Sequence, residues 1–352
     1  MNINKKDEMT SMQRVLTALS FKEPDRVPLF LALTLHGAQE LGLSIEDYFL
    51  NPVNVAQAQL LMQKKYSNDF LLGFYYAPLE VEILGGEVIF RNDGPPNSGN
   101  PLFKDLKDIK NFEFPKIMEA KRLRDVLKTI SILKDKSKGE VPIIGVSLSP
   151  FSSPVIQMGF DKYIELMYQN QDHFRILMEK NSNFCIDWSN AQLEAGATAI
   201  CYFDPVSSTT ITSREKYIET GLAVAKNVIP KIKGPVITHF ASGRCKSIMD
   251  LLPETKTAAI AVSVSEDLAE IKLLSNKNFS ICGNLNGIEM RRWTEKETDM
   301  KVKEAIIKGA PGGGFVLTDN HGEIPIQVPK DTLTAISEAV KKWGTYPIKT
   351  DV

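Results

Sequence analysis

Short apolar, β-branched runs alternate with longer amphipathic stretches along most of the chain. The runs at 141–148 (VPIIGVSL), 198–203 (TAICYF), 235–239 (PVITH), 257–264, 279–282 and 315–318 are apolar at successive positions. That is the pattern of parallel strands covered on both faces. Segment 163–194 has polar and apolar residues at helical spacing, with room for two helices. Ser213 opens another helix, with Glu215 in its first turn. Ser265-Glu266-Asp267 begins a helix reaching about residue 274. Upstream, 27–33, 69–72 and 87–90 can serve as strands. The stretch 93–101 (DGPPNSGNP) is dense in turn residues and is expected as an exposed excursion. Eight or so strand–helix units in 352 residues predict a (β/α)8 TIM barrel with an N-terminal helical lead-in over 1–26, the whole of 1–352 forming one domain. An open doubly wound sheet is the alternative, but no GxGxxG follows the first strand.

Composition narrows the class. The 42 Lys+Arg against 43 Asp+Glu give a formal charge of −1, without the basic excess that nucleic-acid or anionic-membrane binding requires. No apolar run approaches the roughly 18 residues of a membrane span. The opening MNINKKDE has no apolar signal core, so a soluble cytoplasmic protein is expected. Four widely spaced cysteines (Cys185, Cys201, Cys245, Cys282) include no CxxC pair and suit buried thiols or metal ligands better than a disulfide framework.

Chemistry in a barrel gathers where strands meet the following helices. Asp204 follows one run, His239 closes the next, Ser263 and Ser265 follow a third, Cys282 and Asn284 close a fourth, and Asp319, Asn320 and His321 follow the last. Each alone has an ordinary explanation. His239 could be a hydrogen-bonded core histidine and Cys282 a small core thiol; Asp204 could cap a turn, and Cys245 could sit in a loop. Glu219 falls mid-helix, where a solvated face is the default, and His321 and His36 could be plain loop residues. The aromatic cluster Phe74-Tyr75-Tyr76 is either core or a ligand platform. As a set, however, His, Cys and carboxylate converging on one mouth are zinc-compatible donors.

The opening Met12-Gln13-Arg14-Val15-Leu16-Thr17-Ala18-Leu19, followed by Glu23-Pro24-Asp25-Arg26-Val27-Pro28, resembles the start of the uroporphyrinogen decarboxylase superfamily. The resemblance continues through Leu84-Gly85-Gly86-Glu87-Val88, Glu194-Ala195-Gly196-Ala197, Val236-Ile237-Thr238-His239, Gly283-Asn284 and Gly312-Gly313-Gly314-Phe315-Val316-Leu317. It implies a (β/α)8 barrel and one of two chemistries. The decarboxylases carry an arginine-rich segment after the first strand and a catalytic aspartate in an FSD-type segment. Here those positions read Leu31-Ala32-Leu33-Thr34-Leu35-His36-Gly37 and Phe74-Tyr75-Tyr76-Ala77, without arginine or aspartate. The other branch comprises cobamide-dependent methyltransferases. Its coenzyme M members bind zinc through HxC and a distant cysteine in a PGCG-like turn. The corresponding residues are read here as His239-Phe240-Ala241 and Pro311-Gly312-Gly313-Gly314, so the histidine alone is retained. The chain therefore looks more like the methyltransferase components of corrinoid O-demethylases, whose zinc ligands include carboxylates.

That resemblance implies zinc held by His239 with Cys282, Glu219 and Asp204 as the other candidate ligands, and catalysis centred on His239 and Asp204. Tyr75, Tyr76, His36, Asn284 and His321 become candidates for substrate contact. The expected reaction moves a methyl group from a phenyl methyl ether, with a methoxybenzoate as first candidate, to cob(I)alamin. No DxHxxG corrinoid-binding segment is visible, so the cobalamin would arrive on a separate corrinoid protein. A homodimer is a family-level expectation. Transfer toward a thiol acceptor, uroporphyrinogen decarboxylation and a non-enzymatic binding barrel are the alternatives.

Overall fold

The computed structural model describes residues 8–319 and 321–349. Its strands in chain order are β1 Leu29–Phe30, β2 Leu71–Leu72, β3 Val88–Ile89, β4 Asn97–Ser98, β5 Ile143–Leu148, β6 Ala199–Phe203, β7 Val236–His239, β8 Ala259–Ala261, β9 Ser280–Leu285 and β10 Phe315–Asp319. Eight of them form one sheet in the order β1-β10-β9-β8-β7-β6-β5-β2, and every pairing in it is parallel. The two end strands meet: the Asp69 N–H donates to the Leu29 carbonyl at 2.8 Å. The Asn68 side chain accepts from the Leu31 N–H at 3.2 Å and donates to the Leu31 carbonyl at 3.0 Å. A side chain thus stands in for the missing ladder between β1 and β2, and the fold is the expected (β/α)8 barrel.

The apolar runs after residue 140 became strands and the long amphipathic segment became two helices, Phe160–Gln169 and Gln171–Ala195. Segment 87–90 departs from expectation. It supplies β3, which pairs antiparallel with β4 in a separate hairpin. The loop 93–101 forms the turn and second arm of that hairpin, and its Pro96 is buried at the barrel mouth rather than exposed.

The N-terminal lead-in contains helix α1, Ser11–Leu19, opened by a capping box between Thr10 and Gln13. It lies across the bottom of the barrel, where the Gly314 N–H donates to the Ala18 carbonyl at 2.7 Å. Side chains alternate along each strand. Val146 and Leu148, Cys201 and Phe203, Ile237 and His239, and Ala259 and Ala261 all face the interior. Among the described residues no helix is long and apolar enough to cross a membrane.

Candidate active site

Barrel interiors are normally filled by bulky branched side chains. Here several inward positions carry only Ala or Cys, and a cavity of about 310 Å³ remains between the mouth and α1. Its walls are mainly aromatic and aliphatic. Its ionisable lining residues, among those described, are Tyr76, Cys201, His239, Cys282, Asp319, His321 and Glu323, with no lysine or arginine.

His239 ends β7 and is 8% exposed. Its Nδ1 accepts the Ala241 N–H at 2.9 Å, which in the neutral ring places the proton on Nε2. Burial, reinforced by repulsion from His321, lowers its pKa to about 4. Asp319 ends β10; its Oδ2 accepts the His321 and Gly322 N–H groups at 2.8 and 3.1 Å. The other carboxylate oxygen, Oδ1, and the Nδ1 of His321 are buried without a hydrogen-bond partner. Burial raises Asp319 to about 6. Glu323, which accepts a hydrogen bond from the Thr34 hydroxyl, is raised by burial to about 7. Cys282 lines the same cavity, and burial pushes its thiol up to about 12. It is separated from His239 by one strand, since Ala261 pairs with both residues.

Of the residues singled out from sequence, the cavity thus receives His239, Cys282, Tyr76 and His321. Tyr76 donates its hydroxyl to Glu82 Oε2 at 2.7 Å. The other candidates lie elsewhere. Glu219 sits on a π-helical turn, Ile218–Leu222, outside the barrel; its side chain is 68% exposed and pairs with Lys216 at 3.3 Å. Asp204 is buried behind the wall. Its Oδ1 accepts from the Ser149 and Ser152 hydroxyls, and its N–H donates to the His239 carbonyl at 2.8 Å. It braces the exits of β5, β6 and β7, and burial raises its pKa. Tyr75 is a core residue bonded to Thr129 Oγ1 at 2.8 Å. His36 is fully buried at the start of helix His36–Leu41 and does not line the cavity. Asn284 braces a loop by donating to the Ser263 and Glu266 carbonyls at 2.9 and 3.0 Å. Cys245 packs against Glu266, which also receives its N–H. Asn320 lies outside the described residues.

The four-residue ligand set drawn from sequence is therefore not brought together. The glycine turn at 311–314 also falls in the wrong place. It precedes β10, where Lys272 Nζ donates to the Pro311 and Gly313 carbonyls at 2.7 Å each, at the opposite end of the barrel from His239. The residues that β10 delivers to the mouth are Asp319, His321, Gly322 and Glu323. Sequence reasoning placed Asp319 at a strand exit without assigning it a role and missed Glu323. The signal was two acids flanking a histidine directly after the last apolar run. Among the described residues no three His, Cys, Asp or Glu side chains are gathered into a metal cage. In kind, the donors at this mouth still fit zinc: two imidazoles, a thiol, and a buried carboxylate oxygen and ring nitrogen that lack partners.

Comparison with known proteins agrees with this architecture. The family described as Uroporphyrinogen decarboxylase (URO-D) matches residues 10–343. A uroporphyrinogen decarboxylase of Wigglesworthia glossinidia brevipalpis is 26% identical over 297 residues, covering 81% of this chain and 80% of that protein. The methylcobamide:CoM methyltransferase MtbA of Methanosarcina mazei is 26% identical over 354 residues, covering 96% of this chain and 99% of its own length. A solved methyltransferase structure from Methanosarcina mazei superposes with a TM-score of 0.85 at 20% identity, covering 95% of this chain and 99% of that one. At that identity the superposition speaks for the fold.

Proposed function

Since the chain belongs to the uroporphyrinogen decarboxylase (URO-D) family, we propose that it is a methyltransferase of the cobamide-dependent branch, moving a methyl group from a phenyl methyl ether to the cob(I)alamin of a separate corrinoid protein. The observation that carries this reading is the cavity lining: apolar walls, a polar mouth and no cation among the described lining residues. A porphyrinogen bearing eight carboxylates needs cationic partners, so the lining speaks against decarboxylation. Near full-length similarity to a methylcobamide methyltransferase supports the same choice.

In the proposed reaction the ether lies with its ring in the barrel and its methoxyl group at the mouth. The nucleophilic cobalt, a co-substrate brought by the partner, attacks the methyl carbon. The C–O bond breaks, its electron pair stays on oxygen, and the phenolate takes up a proton. Inert ethers leave poorly, so charge developing on that oxygen must be stabilised. His239 presents Nε2–H as a donor, and Glu323, raised by burial to about 7, is a second group at the mouth able to supply the proton that the phenolate takes up. The low-polarity walls exclude water from the reactive cobalt. Zinc at this mouth would polarise the ether oxygen as a Lewis acid. The residues that would hold it are His321 and Asp319, whose Nδ1 and Oδ1 lack partners, with Cys282 as a further donor. His239 would join them through Nε2 only by giving up the Ala241 hydrogen bond and its own role as hydrogen-bond donor, and Glu219 and Asp204 drop out of the set.

The test is to mix the protein with a reduced corrinoid carrier and a panel of methoxylated aromatics, methanol and methylamines. A shift from the cob(I) to the methyl-cob(III) spectrum with an aromatic ether supports the proposal. Silence with every donor, together with demethylation of methylcobalamin by a thiol, would replace it with the thiol-acceptor reading that the relative's name suggests. Metal analysis of protein prepared without chelator should find about one zinc per chain, and His321→Ala should lose it.

A further inference from the structure

We propose that the group seated in the barrel is an uncharged aromatic ring, so that the methyl donor is a neutral aryl methyl ether and not an acid-bearing one such as a methoxybenzoate. This rests on the methyl-transfer reading and specifies its substrate class.

The cavity is a shaft rather than a surface cleft. Ile144, Val146 and Leu148 line it at successive inward positions of β5, a rise of roughly 13 Å at about 3.3 Å per residue. Leu19 of α1 contributes to its lower end. The space exists because Ala259 and Ala261 on β8 and Cys282 on β9 leave unfilled what larger side chains would occupy. A cavity of about 150 Å³ is enough to hold benzene. The 310 Å³ found here therefore takes one ring with its substituents. Phe30, Phe70, Phe74 and Phe203 supply aromatic wall, which suits ring–ring packing.

Charge decides between neutral and acidic rings. If the methyl group must face the mouth to meet cobalt, a substituent across the ring lies deep in the shaft. A carboxylate there would lose its hydration and find no lysine or arginine among the described lining residues. The guanidinium groups near the floor are committed: Arg14 is bound to Asp25 and Asp69, and Arg26 to Asp69. The acids at the mouth, Asp319 and Glu323, carry the wrong sign to attract an anion.

Calorimetric titration of the full chain, without corrinoid carrier, compares 1,2-dimethoxybenzene with 3,4-dimethoxybenzoate at pH 7.5. The neutral ligand should bind at least tenfold more tightly. Equal affinity, the reverse order or no binding of either overturns the proposal. Ala261→Leu and Ala259→Leu fill the shaft and should each weaken the neutral ligand at least tenfold without lowering the melting temperature. Unchanged affinity in both folded variants would put the ring elsewhere and overturn it too. Methyl transfer is followed separately. Tight neutral binding with no transfer to cob(I)alamin upholds this ligand class while removing the transfer reading. Equal transfer rates from the neutral and acidic ethers remove this proposal and keep that reading.

Discussion

His36 and His239 are held neutral at pH 7, because burial lowers each to about 4. For His36 the nearby Val328 backbone and Glu40 oppose the shift without cancelling it. A folded pKa below the unfolded value near 6.5 means that the unfolded chain binds the proton first. The stability so gained is present above pH 6.5 and is lost as pH falls toward 4. His36→Leu removes one such site away from the cavity. Between pH 7 and pH 5 the native chain should lose about 2 kcal/mol more than the variant, read from urea unfolding. Equal losses would show that His36 does not titrate on unfolding. Two carboxylates test the wall in the same way. Asp204→Ala orphans the Ser149 and Ser152 hydroxyls and should cost about 2–3 kcal/mol. Exposed Glu219→Ala should stay within about 0.5 kcal/mol and leave the zinc content proposed above unchanged. A loss of zinc in Glu219→Ala alone would restore it to the ligand set. Why the sequence suggested Asp204 is a matter of parity. Residue type and position after an apolar run made Asp204 and His239 look alike. Along β6 the inward residues are Cys201 and Phe203, so Asp204 points away, whereas Ile237 and His239 share the inward face of β7. Which face is inward is set by the closed barrel and cannot be read from one strand.

At the scale of elements, α1 is fastened by a buried ion cluster. Arg14 bonds Asp69 Oδ1 at 2.6 Å and Asp25 Oδ2 at 2.7 Å, and Arg26 bonds Asp69 Oδ2 at 2.6 Å. Asp69 also accepts the Leu29 N–H at 2.9 Å and the Ser11 hydroxyl at 2.9 Å, so one carboxylate joins α1 to β1 and the start of β2. Asp69→Asn removes the buried carboxylate that Arg14 and Arg26 share, while Arg14 keeps Asp25, and should cost about 3–5 kcal/mol, measured by urea unfolding. Because Leu19 of α1 lines the cavity, the same variant should bind more of an apolar dye, a change that a purely local loss would not produce. The strands after residue 140 were legible because each is a compact apolar run between helices. The first quarter of the barrel was harder. β1 and β2 are two residues each, and their junction relies on Asn68 and Asp69 side chains that no apolar pattern reports. Segment 87–90 looked as good a strand as 69–72, yet the turn residues at 93–96 fold it back onto Asn97–Ser98.

The whole molecule carries its many charges outside and keeps its interior close to neutral. Besides Asp319 and Glu323, the buried Glu80 accepts the Leu148 N–H at 2.9 Å yet is raised by burial to about 8. It is therefore largely protonated at neutral pH. The sign is opposite to that of the histidines. A folded pKa above the unfolded 4.5 stabilises fully below pH 4.5, and the contribution is lost as pH rises through 8. His36 and His239 are already neutral in the folded chain throughout this window, but in the unfolded chain they lose their protons near pH 6.5. They therefore add a shallow rise in stability at its lower end that the native chain and a Glu80 variant share. From pH 6 to pH 8.5, Glu80 alone should remove about 2–3 kcal/mol of stability. Glu80→Gln retains an acceptor for the Leu148 N–H and has nothing to deprotonate. Urea midpoints should therefore fall for the native chain across that interval and fall markedly less for the variant. Parallel declines would mean that Glu80 is ionised in the folded state and that the interior tolerates an unpaired carboxylate. In that case the exclusion of acid-bearing rings from the shaft would lose its physical ground as well.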